Sequence, residues 1–94
     1  MIHKKQVTDE QFFNAINKVI QWATPREAKS SYAGAAKTYA ANVGRAGIVY
    51  GRPAIATQIS YIIANLNNYR GEEARKVKAI LKQFQKQIRK EQEQ

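Results

Sequence analysis

The sequence predicts an all-α chain, either a small four-helix bundle or an orthogonal helical array, with helices over about 8–23, 25–43, 53–68 and 72–90. Three observations predict it. Apolar residues recur at spacings of three and four along most of the chain. Helix-start signals stand at Thr8, at Thr24-Pro25 and at Pro53. Turn residues fall between the periodic stretches, at 44–52 and 67–71. Short connections favour close packing of neighbouring helices and leave both arrangements open.

Residues 1–7 read as a short basic arm, after which Thr8-Asp9-Glu10-Gln11 opens the first helix. Thr8 can accept from the Gln11 amide while the Gln11 side chain reaches back, a capping box, with Val7 and Phe12 at the staple positions. Phe12, Ile16, Val19, Ile20 and Ala23 then form one apolar face.

Thr24-Pro25-Arg26-Glu27 combines a capping hydroxyl, a proline at the first helical position and an acid three residues after the cap. The second helix should run from there to Val43, with Gly44 in the left-handed position that ends many helices. It is rich in Ala, Ser and Gly, and Tyr32, Ala35, Tyr39 and Val43 make its expected buried stripe. Gly34 costs roughly 1 kcal/mol relative to Ala inside a helix, so this element leans on tertiary packing.

Residues 44–52 hold three glycines and are expected to form an ordered loop that keeps Ile48, Val49 and Tyr50 from standing in solvent. Pro53 starts the third helix, the most apolar one, with Ile55, Ile59, Ile62, Ile63 and Leu66 facing inward. Asn67-Asn68-Tyr69-Arg70-Gly71 turns the chain. In the last helix, Glu72 and Glu73 near the start and Arg89 and Lys90 near the end suit the helix dipole. Ala74, Val77, Leu81, Phe84 and Ile88 are spaced as an a/d seam, and residues 91–94 are expected to fray.

The 94 residues read as a single domain, 1–94, with a core small enough that a homodimer or another partner could complete it. The chain has no Cys, which excludes disulfides, thiolate catalysis and Cys-based zinc sites. No apolar stretch resembles a signal peptide or spans a bilayer, so the expected location is cytoplasmic. His3, in the arm, is the only histidine, so one chain cannot build a His-based triad or metal cluster. Asp9, Glu10 and Glu27 are accounted for by capping and dipole effects, and no phosphate loop or dinucleotide fingerprint is present. The expectation is a non-enzyme with no cofactor and no metal.

Charge sets the functional expectation. Sixteen Lys and Arg against seven Asp and Glu give a net charge of +9, a field that draws polyanions. On a helical wheel Arg75, Lys78, Lys82, Lys86 and Arg89 fall within an arc of about 80°, away from the seam. They extend over about 20 Å, with no acid between Glu73 and Glu91 to relieve their repulsion. Such a stripe suits the phosphates of a nucleic acid, DNA or RNA; the plain alternative is a solvated polar face.

A second contact set comprises Arg45, Arg52 and Arg70, with Tyr50 and Tyr69 beside them in expected loops, where tyrosine can stack unpaired bases. Ring packing is the competing role for these tyrosines, and turn formation the competing role for Asn65, Asn67 and Asn68, which could otherwise read base edges.

The leading expectation is thus a small basic helical nucleic-acid-binding protein, contacting mainly phosphates without strong sequence specificity. The alternative is a protein-interaction module (an adaptor, assembly subunit or inhibitor of the kind phages and mobile elements encode) that binds an acidic protein or a nucleoprotein complex. A peripheral membrane helix is a third and weaker reading, because a bundle needs the apolar face of the last helix for its core.

Overall fold

Four helices make up the fold: α1 (Asp9–Trp22), α2 (Ser31–Tyr50), α3 (Arg52–Ala64) and α4 (Glu72–Gln92). The computed structural model describes residues 6–23 and 31–92. It bears out the all-α expectation as a small helical bundle. Each helix packs against its neighbour in the chain, and α4 closes the ring on α1.

The capping box at the start of α1 forms as the sequence predicts. The Gln11 amide donates to Thr8 Oγ1 at 3.1 Å, and the Thr8 amide donates to Gln11 Oε1 at 2.9 Å. Phe12, Ala15, Ile16 and Val19 are buried on the face that capping orients. The expected start of the second helix at Thr24-Pro25 lies outside the described residues, as does most of the basic arm. Val7 is tied to α4: its amide donates to Gln87 Oε1 at 2.7 Å, and Gln87 Nε2 donates to its carbonyl at 3.0 Å.

Three expectations for the middle of the chain need correction. First, α2 does not end at Gly44; it continues to Tyr50, so residues 44–50 are helix and not loop. Gly51 (φ 88°) and Gly71 (φ 109°) are the described residues with positive φ, whereas Gly44 and Gly47 keep helical backbone. Second, the buried stripe of α2 is Ala36, Ala40 and Val43, with Tyr39 half-buried at its edge. Third, α3 stops at Ala64 and not at residue 68; Leu66 and Tyr69 bury themselves from the following turn.

One packing arrangement explains the first two. Tyr39 packs on Tyr61 with ring centroids 5.1 Å apart, and Gly47 lies against Ile55, so α2 and α3 run antiparallel about the single linking residue Gly51. A Cβ on Gly47 would sit 2.7 Å from Ile55 Cδ1. Gly47 therefore marks a close approach between two helices, and the small-residue side of α2 is the side that α3 covers. Pro53 falls in the first turn of α3, where its missing N–H costs nothing.

The last helix matches its expected seam, with Ala74, Val77, Leu81, Phe84 and Ile88 buried; Gln85 joins them as a buried polar residue. Phe84 stacks on Phe12 at a centroid distance of 4.2 Å. Glu91, expected in a frayed tail, lies within α4.

Candidate nucleic-acid interface

Because the seam fixes the rotation of α4 about its axis, the opposite arc of the helix must face solvent. Arg75, Lys82, Lys86 and Arg89 are exposed and Lys78 is half-buried. The ion pairs among the described residues are Lys18–Glu73, Arg52 with Asp9 and Glu91, and Lys76–Glu72. None involves the five stripe cations. Acids are drawn off by cations elsewhere on the molecule, and the stripe keeps its charge unneutralised.

Lys78 registers the consequence. Partial burial holds its ammonium below the ordinary lysine pKa, and the neighbouring charges of Arg70 and Lys82 depress it further. Arg70, assigned by sequence to the second contact set, thus belongs electrostatically with the α4 stripe. A bound phosphate would relieve the same repulsion that disfavours charge on Lys78.

Beside the stripe, a groove of about 410 Å³ opens between α3 and α4. Ser60, Ile63 and Ala64 line it from α3, and Lys82, Lys86 and Arg89 from α4, with Gln85 between the two helices. Gln85 is only 8% exposed. Its Nε2 donates to the Ala56 carbonyl at 2.9 Å and to Ser60 Oγ at 2.6 Å. The groove therefore combines an apolar lining, a hydroxyl, a fixed amide and three cations.

The remainder of the second set is dispersed. Arg45 and Tyr50 lie on α2, not in a loop, and line a separate groove of about 360 Å³ between α2 and α3 together with Tyr39 and Val49. Arg52, the first residue of α3, is bound twice by Glu91, at 2.8 and 3.0 Å, and lies 3.7 Å from Asp9. The hydrogen bond with Glu91 raises its pKa above that of a free guanidinium, and the group lies 5.2 Å from the Phe84 ring centroid. Its charge is spent inside the fold, holding the start of α3 to the end of α4.

Tyr69 is 7% exposed and packs on Trp22 at 4.8 Å, so ring packing is the role it performs. Desolvation raises its pKa, and the charge of Glu73 adds to that. Asn65 Nδ2 donates to the Tyr61 carbonyl at 2.8 Å and the Asn67 carbonyl accepts from Arg70, which is helix-end chemistry. His3 lies outside the described residues, as does the side chain of Tyr32.

Sequence reasoning missed Gln85 and Ser60. The available signal was a glutamine next to Phe84 and three residues before Ile88, at the border between the apolar seam and the stripe of cations. It also missed the end of α2, where Ile48 is 88% and Tyr50 is 77% exposed. Among the described residues no cluster of His, Asp or Glu could hold a metal ion, and no helix is long and apolar enough to cross a membrane. Comparison with known protein families, curated proteins and solved structures finds no match to this chain.

Proposed function

We propose that this chain is a small nucleic-acid-binding protein that contacts phosphates through the exposed face of α4, without strong sequence specificity. The observation that carries this reading is the line Arg75, Lys78, Lys82, Lys86 and Arg89, extended by Arg70, in which no cation has a carboxylate partner among the described residues. Surface cations of a folded domain commonly alternate with acids that screen them; here the acids sit on Arg52, Lys18 and Lys76 instead. A run of like charge about 20 Å long destabilises its own helix, and a polyanion offsets that cost by releasing its condensed counterions.

Fluorescence anisotropy with labelled nucleic acid across a salt series tests the proposal. Five phosphate contacts give a log–log slope of roughly −4 on duplex DNA and a somewhat shallower one on a single strand. Lys82→Glu combined with Lys86→Glu should weaken binding and lower the slope by about two. An unchanged affinity in a folded double variant would leave the stripe as solvated surface.

A second reading, a protein-interaction module, is favoured by one specific observation. Ile48, Val49 and Tyr50 stand exposed in succession at the end of α2, and Phe13 is also partly exposed. Contiguous apolar exposure of this kind marks contact surfaces more often than isolated apolar residues do. Failure to bind any nucleic acid at low salt would make an acidic or nucleoprotein partner the better account.

A further inference from the structure

The geometry of the α3/α4 groove points to a seat for an unpaired base, which makes single-stranded nucleic acid the preferred ligand of the basic face. The seat presupposes that this face binds nucleic acid, and adds a requirement that charge alone does not impose.

Gln85 supplies the argument. A backbone carbonyl only accepts, so the Ala56 contact fixes which end of the amide is nitrogen, and the second N–H is directed to Ser60 Oγ. Both donors are thereby used inside the protein. Among the described residues, no fully buried side-chain nitrogen or oxygen lacks a partner. Gln85 Oε1 has no hydrogen-bond partner in the fold and is not fully buried, and Gln85 is one of the residues that line the groove. The result is an acceptor held in place by two hydrogen bonds, at low cost in side-chain entropy.

Around that acceptor the groove offers Ile63 and Ala64 as apolar contacts, and Lys82, Lys86 and Arg89 along its α4 edge. Its volume of about 410 Å³ lies within the usual range for small organic ligands. An acceptor beside apolar walls suits the flat, N–H-bearing edge of a nucleobase, and the cations suit the phosphates on either side of it. Every nucleobase carries an N–H donor on its pairing edge, so one acceptor recognises a base without choosing among them. In a duplex those donors are engaged in base pairs, and the base cannot enter. A strand with unpaired bases meets both conditions, whereas a duplex or a simple polyanion meets only the electrostatic one.

The test compares three probes at low and at physiological salt: a labelled oligothymidylate, a DNA duplex of the same length, and inorganic polyphosphate as a competitor without bases. The oligothymidylate should bind about tenfold more tightly than the duplex, and polyphosphate should compete with it poorly. Gln85→Leu should remove that preference, bringing the oligothymidylate to the affinity of the duplex. Since Gln85 is buried, Ala64→Leu serves as an independent variant: Ala64 is exposed on the groove lip, so a bulky side chain that cannot stack on a base fills the seat without touching the core.

Equal affinity for strand and duplex would overturn the seat while leaving the charged face intact as a binding surface. A strand preference that survives both folded variants would place the base elsewhere and overturn it too. Absence of binding to all three probes at low salt would remove the seat and the nucleic-acid reading together.

Discussion

Helices α1 and α4 meet through large side chains, whereas α2 turns a mostly small-residue stripe inward, with Tyr39 on Tyr61 of α3 as the large contact at its edge. In the first pair, Phe12 stacks on Phe84 and the seam residues Leu81 and Ile88 are fully enclosed. In the second, Gly47 lets Ile55 of α3 approach the α2 backbone, on the same helix that buries the small residues Ala36 and Ala40. The two pairs bury apolar surface by opposite means, one by filling space and the other by removing it. They should therefore fail under opposite substitutions: the large-residue contact when atoms are deleted, the small-residue contact when atoms are added.

The largest effect tests the first half of that contrast. Phe84→Ala removes the ring that Phe12 stacks on, and should destabilise the fold by about 3–5 kcal/mol in urea unfolding. A loss below about 1 kcal/mol would mean that the α1/α4 contact is plastic.

The second half is tested by Gly47→Leu, which places a side chain where Ile55 already sits. It should cost about 1–3 kcal/mol. Gly34→Ala on the same helix is the control. A Cβ there meets nothing within 4 Å, so the exchange should stabilise by up to about 1 kcal/mol through helix propensity alone. If both glycine variants shift the melting temperature in the same direction, the α2/α3 contact does not depend on close approach.

The smallest effect concerns the exposed side of α4. Lys78→Gln relieves repulsion with Lys82 one turn away and should raise stability by a few tenths of a kcal/mol, about 0.2–0.5. The pH dependence has a definite sign. Folding lowers the Lys78 pKa, so the unfolded chain binds the proton more tightly, and the penalty is full below the folded pKa. The advantage of the variant should shrink as pH rises toward the ordinary lysine value of 10.5 and vanish above it. Thermal melts of both proteins across that range provide the check.

The same contrast explains how much of the molecule is legible in sequence. Large apolar residues at fixed spacing announce a face, so the α4 seam and the apolar face of α1 could be assigned residue by residue, and the stripe of cations followed from the seam. Glycine carries no such unambiguous message. Gly44, Gly47 and Gly51 look alike in sequence, but Gly51 breaks the helix with positive φ while Gly47 admits a neighbour. Reading all three as loop residues shortened α2 and placed Arg45 and Tyr50 in a segment that does not exist. Ile48 misled by a further route, since the premise that apolar residues avoid solvent fails for an exposed helix end.

That the α4 cations share one side of the helix was recoverable because helical geometry alone determines which positions share a face. The surroundings of Arg52 and Tyr69 in the second set were not, because they depend on distant partners. Glu91, thirty-nine residues from Arg52, takes its charge, and Trp22 covers Tyr69. Gln85 is the converse case: its role rests on Ala56 and Ser60 in another helix, which no local pattern reveals.

The link between Val7 and Gln87 spans eighty positions of the chain. Such a contact cannot form until most of the chain is ordered, whereas the α2/α3 pair, joined through Gly51 alone, closes almost no loop. Contact locality alone leads us to expect the central hairpin to assemble first and the two ends to dock last, α1 onto α4. Because the basic face lies on α4, the surface proposed to meet a polyanion would be anchored by the contact expected to form last. A ligand bound there would stabilise the closed ring by mass action and oppose the first opening that native fluctuations allow.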